Sequence, residues 1–280
     1  MLITEKQIPI KTFENYKRFF AYGCSMTGYN WPTWADILGQ EIGSYKIYAG
    51  LGAGNQWIST QFFESNIAEN FNDKDLVMIM FSNYFREDRY VPENKFIQGR
   101  LVKNTSWIPN ANMMDKSVRW GKMFIKNRDW FNEYHARIRD LIYMYSIKEI
   151  LIHKNCLSYF GTMGNEYNQL ESLPTRIKNL SHHVLPFLGH SMLDAGCKGQ
   201  WPQYSHILQE YHPSPAQHFT YLKKVFPNIV WKEKTLAFVD FWEQFVHANS
   251  YDTTSSKWNE FKNENTKNYP AMLNRFEEDF

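Results

Sequence analysis

The sequence predicts an α/β fold: a three-layer α/β/α sandwich around a mostly parallel sheet of about five strands, with insertions. Three observations carry this expectation. Short apolar runs of strand length alternate with stretches whose apolar residues recur at helical spacing, as in strands joined by crossover helices. The run Asp75-Leu76-Val77-Met78-Ile79-Met80-Phe81 is continuously apolar after its first residue, which suits a strand covered on both faces. Three of the runs end in polar or glycine turns, at Ser25, Gly52 and Asn83. In open parallel sheets, ligands gather at the carboxyl ends of strands.

The elements follow in order. Residues 18–23 read as a first buried strand ending in Gly23-Cys24-Ser25-Met26-Thr27. Trp31-Pro32-Thr33-Trp34 opens a helix, with proline near its start and Trp34, Ile37 and Leu38 at helical spacing. Residues 45–49 form a second short strand that enters the turn Gly50-Leu51-Gly52-Ala53-Gly54-Asn55, and a helix runs from Asn55 to about Asn70. Residues 75–81 are the third strand. Residues 87–117 read as an irregular insertion or lid. From Val118 to about Ser146 an amphipathic helix carries Trp120, Phe124, Phe131, Ile138, Leu141 and Ile142. Glu149-Ile150-Leu151-Ile152-His153 reads as a fourth strand. Residues 154–210 give no clear element, and helices are expected over 215–225 and 235–246. The whole reads as one domain over 1–248, with insertions around 87–117 and 154–205 and a polar C-terminal extension over 249–280.

Composition sets bounds on partners. Of 280 residues, 43% are hydrophobic and 17% aromatic, enough for a large core. The net charge is only +2, from 31 basic and 29 acidic residues, so no nucleic-acid partner is expected. Three cysteines without a paired spacing, Cys24, Cys156 and Cys197, fit a reducing compartment. No leader pattern opens the chain, and no apolar run approaches the ~20 residues of a membrane span, so a soluble, cytoplasmic protein is expected.

Cofactor and metal motifs do not emerge. The glycines at 50–54 lack the lysine of a phosphate loop and the full dinucleotide fingerprint. His182-His183 has no spaced Cys, Asp or Glu partners for a metal. No cofactor and no metal are therefore expected. What remains is a serine in a strand-ending turn, Ser25, and a distant histidine, His212, in Glu210-Tyr211-His212-Pro213-Ser214-Pro215. A serine needs a base to take its proton before it attacks a carbonyl, and histidine titrates near neutrality. Strand alternation turns Cys24 away from Ser25, which makes it a buried structural cysteine. His218 reads as a packing or capping residue of its helix.

On these residues the chain resembles the SGNH/GDSL-type hydrolases. Gly23-Cys24-Ser25-Met26-Thr27 resembles their first block, with Cys24 in place of the usual Asp. Gly52 resembles the second-block glycine, Phe81-Ser82-Asn83 the block with the family's asparagine, and His212 the last block. The blocks occur in family order over residues 19–225, and the fold implied is the SGNH-hydrolase, flavodoxin-like sandwich. The resemblance implies Ser25 as nucleophile, His212 as base, and an oxyanion hole of Ser25 N–H, Gly52 N–H and the Asn83 amide. One such donor lowers a barrier by roughly 3–4 kcal/mol. Ser82, Asn83 and Tyr84 all lie within reach of the third-block role. The acid three residues before the histidine is Gln209 here; Glu210, two before it, is the alternative, and a Ser25–His212 dyad is a third arrangement.

The function implied is a serine esterase acting through an acyl-enzyme on a small ester or an acylated carbohydrate. Tyr29, Trp31 and Trp57, expected to be exposed near the mouth, and Arg86 are candidate substrate contacts. An acyltransferase on the same residues is one alternative. A non-catalytic binding or structural protein that keeps the fold is another. Tyr22-Gly23-Cys24-Ser25-Met26-Thr27 with Trp31-Pro32-Thr33-Trp34 resembles versions encoded by bacteriophages, which would put the protein in the host cytoplasm or the virion. The C-terminal extension is a candidate docking segment for a protein partner.

Overall fold

The computed structural model describes residues 10–84, 86, 88–90, 95–97, 100–102, 107–108, 133–164, 167, 175–184, 188–200, 202, 212–249, 258 and 260. Five parallel strands make the main sheet: β1 (Arg18–Gly23), β2 (Tyr45–Ala49), β3 (Asp75–Phe81), β8 (Leu157–Thr162) and β9 (Leu188–Ser191). Their spatial order is β2-β1-β3-β8-β9, the flavodoxin-like doubly wound order. All seven residues of β3 are buried, as its apolar run requires. The carboxyl ends are nearly level, with Gly23 beside Ala49, Tyr22 beside Ile79 and Phe81 beside Thr162. The order reverses direction between β1 and β3, which opens a crevice there. At the opposite end of the same two strands, Arg18 grips Asp75 with two hydrogen bonds of 2.7 Å. This bidentate pair fixes their register.

Seven helices are described: α1 (Trp34–Ile42), α2 (Asn55–Glu69), α3 (Glu133–His153), α4 (Thr175–Val184), α5 (Met192–Cys197), α6 (Pro215–Val225) and α7 (Glu233–Ala248). They fall into two groups that touch within themselves: α1 with α5, α6 and α7, and α2 with α3 and α4. With the sheet between, this is the three-layer α/β/α sandwich. A capping box, not the proline, starts α1: Thr33 accepts at the first turn and Asp36 reaches back to the Thr33 N–H at 2.8 Å. Ser214 and Gln217 make the same box on α6, whose first residue is Pro215. Between β3 and α3, two small antiparallel pairs, β4 (Arg89–Tyr90) with β7 (Trp107–Ile108) and β5 (Lys95–Ile97) with β6 (Arg100–Val102), stand outside the main sheet.

Two expectations are corrected. Residues 149–153 are not a strand; they are the last turns of α3. Met144, Ile147 and Leu151 are buried while Ile142 and Ile152 stay exposed, a helical period rather than a strand's. The helix stops where Asn155 turns left-handed at φ 52°, and the fourth strand of the sheet follows at 157–162. Leu141 is on the buried face as expected; Trp120, Phe124 and Phe131 lie outside the described residues. The stretch 154–205, read as an insertion, carries β8 and β9 and so completes the sheet. Its strands are short and hold Ser158, Gly161, Gly189 and His190, so they carry no continuous apolar signal. None of the helices, among the described residues, is long and apolar enough to cross a membrane.

Candidate active site

Ser25 leaves β1 in a tight turn. Thr27 N–H and Gly28 N–H both donate to the Cys24 carbonyl, at 2.8 and 3.2 Å. The Thr33 hydroxyl donates to the Thr27 carbonyl at 2.5 Å, tying the loop to the start of α1. The turn is tight enough that a Cβ on Gly23 would overlap the Thr27 side chain. Ser25 is 6% exposed, and among the described residues its hydroxyl makes no hydrogen bond. Cys24 is fully buried with its thiol 3.9 Å from the Met163 sulfur, as expected of a structural cysteine.

Gly52 sits three residues past β2. Ala53 N–H closes a turn onto the Gly50 carbonyl at 3.0 Å, and Gly52, its third residue, has φ 75°. That is the left-handed position of a type II turn, which favours glycine. The helix that follows, α2, has no side-chain cap of its own at Gly54. Asp88 supplies one from downstream: one carboxylate oxygen accepts Gly54 N–H and the other Trp57 N–H, both at 2.7 Å. Burial pushes the Asp88 carboxyl up, and these two donors pull it back. Arg86 donates to the Ala53 carbonyl at 3.1 Å. The residues after β3 thus brace the turn that contains Gly52.

Asn55 ties the same turn to β3. Its amide pairs with both backbone groups of Ser82, accepting N–H at 2.7 Å and donating to C=O at 3.0 Å. The amide also donates to Asp140 on α3 at 2.6 Å and meets the Tyr167 hydroxyl at 2.7 Å. Tyr167 donates to the same Asp140 oxygen at 2.7 Å, and Arg139 donates to the other oxygen at 3.0 Å. Asp140 is completely buried, and desolvation raises its carboxyl to about 6 against the pull of Arg139 and these hydrogen bonds. The network treats Ser82, Asn83 and Tyr84 differently. Both Ser82 backbone groups are spent on Asn55, and its hydroxyl is buried. Tyr84 is buried, accepting from Arg137 at 2.9 Å. Asn83 alone of the three is partly exposed at the strand end.

His212 comes from the other group of elements, just before α6. Its ring lies face to face on Tyr29, with centroids 3.7 Å apart and planes 16° from parallel. The next residue is pinned too: Trp31 Nε1–H donates to the Pro213 carbonyl at 2.8 Å. Tyr29 and Trp31 touch edge to face at 4.7 Å. The histidine corner is therefore docked on the segment that follows Ser25. Glu210, like Gln209, lies outside the described residues. His218 is buried, as expected of a packing residue, but among the described residues neither ring nitrogen has a hydrogen-bond partner. Burial, with nearby His212 second, lowers its pKa to about 3.

The aromatic expectation needs one correction. Trp31 is 0% exposed, so it presents no face to a ligand; its polar atom is spent on Pro213 and its rings are packed. Tyr29 and Trp57 are partly exposed. Asn55, Asp88, Asp140 and Tyr167 belong to no motif that the sequence singles out. One signal was present: Ala136, Asp140 and Met144, spaced by four, put a carboxylate on the buried stripe of α3. Among the described residues, no group of three or more His, Cys, Asp or Glu is arranged to hold a metal.

No family model matches this sequence, and no curated protein matches it. Solved structures similar to it include a GDSL-like lipase from Bacteroides thetaiotaomicron, at 11% identity and TM-score 0.39 over 75% of this chain and 85% of that one. A member of the lipolytic protein G-D-S-L family from Veillonella parvula is similar at 11% identity and TM-score 0.40, over 75% and 96% of the two chains. A catalytic mutant of an acetylxylan esterase from Geobacillus stearothermophilus is similar at 11% and 0.40, over 80% and 98%.

Proposed function

We propose that the protein is a serine esterase that works through an acyl-enzyme on Ser25, with His212 as general base. The observation that carries this reading is the docking of His212 and Pro213 onto Tyr29 and Trp31, in the loop that leaves Ser25 at the switch point of the sheet. His212 takes the Ser25 proton as Oγ attacks the ester carbonyl. The tetrahedral oxyanion is received by Ser25 N–H, Gly52 N–H and the Asn83 amide. The carbonyl re-forms, the alkoxide leaves with the proton from His212, and a water activated by His212 then releases the acid.

The substrate in this reading is a small acyl ester. With Trp31 buried and one face of Tyr29 covered by His212, stacking on a carbohydrate rests on Trp57 and the remaining face of Tyr29. A binding protein without turnover is the second reading, favoured by a Ser25 that is only 6% exposed. An acyltransferase uses the same residues with an acceptor other than water. A fluorophosphonate probe separates these. The esterase reading expects labelling of wild type, none of Ser25→Ala, and turnover of an ester panel. Equal labelling of both proteins excludes Ser25 as the nucleophile. Labelling without hydrolysis moves the reading to the transferase, and no labelling moves it to the binding protein.

A further inference from the structure

The C-terminal segment is polar over Asn249-Ser250-Tyr251-Asp252-Thr253-Thr254-Ser255-Ser256-Lys257, and then reaches Trp258. Trp258 is 2% exposed, although a segment of this composition has little else to bury. It lies edge to face on Trp31, with centroids 6.2 Å apart, and it is backed by Phe245 at 5.2 Å and Trp242 at 6.4 Å on α7. Trp31 in turn holds the Pro213 carbonyl and touches Tyr29, whose face covers the His212 ring. A continuous path of ring contacts and one hydrogen bond thus runs from Trp258 to His212.

We propose that Trp258 is a positioning residue for His212: its indole wedges Trp31 against the Pro213 carbonyl and, through Tyr29, sets the plane of the imidazole. The proposal rests on the reading of His212 as the base, and its physical content is separate from that reading. Stacking on Tyr29 fixes the ring plane but leaves lateral position loosely set, because offset-stacked pairs tolerate a range of centroid separations. The Trp31–Pro213 hydrogen bond supplies the missing constraint, and it holds only while Trp31 cannot retreat. Trp258 fills the space into which Trp31 would retreat. Truncating it leaves an indole-sized void that neighbouring side chains relax into only in part. A base displaced by about 1 Å costs roughly 100-fold in rate.

The test follows the His212 ring by NMR in the full-length protein, with its resonances assigned by their loss in His212→Gln. In wild type the Tyr29 ring current should displace them. Trp258→Ala should move them toward the position of an unstacked histidine and slow fluorophosphonate labelling of Ser25 by roughly 10- to 100-fold. Trp258→Phe, which keeps a ring against Trp31, should restore most of both. Unchanged His212 resonances in Trp258→Ala, or slowing that only matches a lost folded fraction, would overturn the proposal. If Trp258→Ala does not fold, Trp258→Phe and Trp258→Leu decide it: the two must differ in His212 displacement in the order of ring retained over ring lost, and equal values overturn it. If wild type itself is not labelled, the esterase reading fails, and the positioning role of Trp258 stands or falls on the His212 resonances alone.

Discussion

At the ends of β1, β2 and β3 directional hydrogen bonds carry the geometry, whereas His212 is held by rings. Ser25 sits in a turn closed by two bonds to one carbonyl, and Gly52 in a turn that needs a left-handed residue. The end of β3 is stapled to α2 through Asn55 and to α3 through Asp140. His212 has a stacked tyrosine on its face and a tryptophan on the carbonyl next door. The two arrangements fail differently. Buried, directional hydrogen bonds are costly to leave half-made, so damage on the serine side appears first as lost stability. Ring packing is forgiving in energy and loose in lateral position, so under the esterase reading damage on the histidine side is expected first as lost rate.

The strongest way to break this comparison is Ser25→Ala. It should lower ester turnover by on the order of 1,000-fold or more while leaving the urea midpoint unchanged, since the hydroxyl makes no hydrogen bond among the described residues. A large loss of stability would mean that Ser25 is structural. Next is Asn55→Ala, which removes the staple, strands the Ser82 N–H and leaves one Asp140 oxygen with Tyr167 as its remaining donor. It should cost about 2–4 kcal/mol by urea denaturation. A cost as small as that of a surface substitution would show that the network does not hold the strand end.

Acid sharpens the contrast, because the two sides carry opposite pH slopes. Burial raises the Asp140 carboxyl from 3.8 to about 6, so the folded chain keeps a proton that the unfolded chain has lost. That contribution is complete below about pH 4 and is lost as pH rises through about 6. His218 runs the other way. Its imidazole is held down from 6.5 to about 3, so its contribution is complete above about pH 6.5 and falls away as pH drops toward 3. Urea midpoints at about pH 4 and about pH 7 test both. The stability of wild type minus that of Asp140→Asn should shrink as pH rises, and wild type minus His218→Leu should grow. His218→Leu should fold well near neutrality, because neither ring nitrogen has a partner to lose among the described residues. The smallest effect expected is from Asp88→Ala, which uncaps α2 at Gly54 and Trp57 and should cost about 1 kcal/mol in the thermal or urea midpoint.

Much of the frame was legible from residues alone. The apolar runs at 18–23, 45–49 and 75–81 are strands, and Ser214-Pro215 with Gln217 starts a helix as such a sequence should. Residues 149–153 misled because Ile150, Leu151 and Ile152 look alike whether a strand or the end of a helix carries them; the deciding period lies upstream, at Met144 and Ile147. Residues 157–162 hid because a strand interrupted by serine and glycine has little apolar signal. Trp31 was expected at the surface because nothing nearby in sequence announces Trp258 as its cover.

Local patterns therefore determined which stretches are strands and helices, where capping residues start them, and that Ser25, Gly52 and Asn83 each follow a strand. These depend on residues within a few positions of one another, where backbone sterics and hydrogen bonding act directly. Which polar groups meet was decided by the tertiary structure alone. Asn55 finds Asp140 across 85 residues and Tyr167 across 112, and Trp31 finds Pro213 across 182. Only the order and register of a parallel sheet, with its helices packed on both faces, bring such residues together, because a parallel sheet joins strands through crossovers rather than local turns.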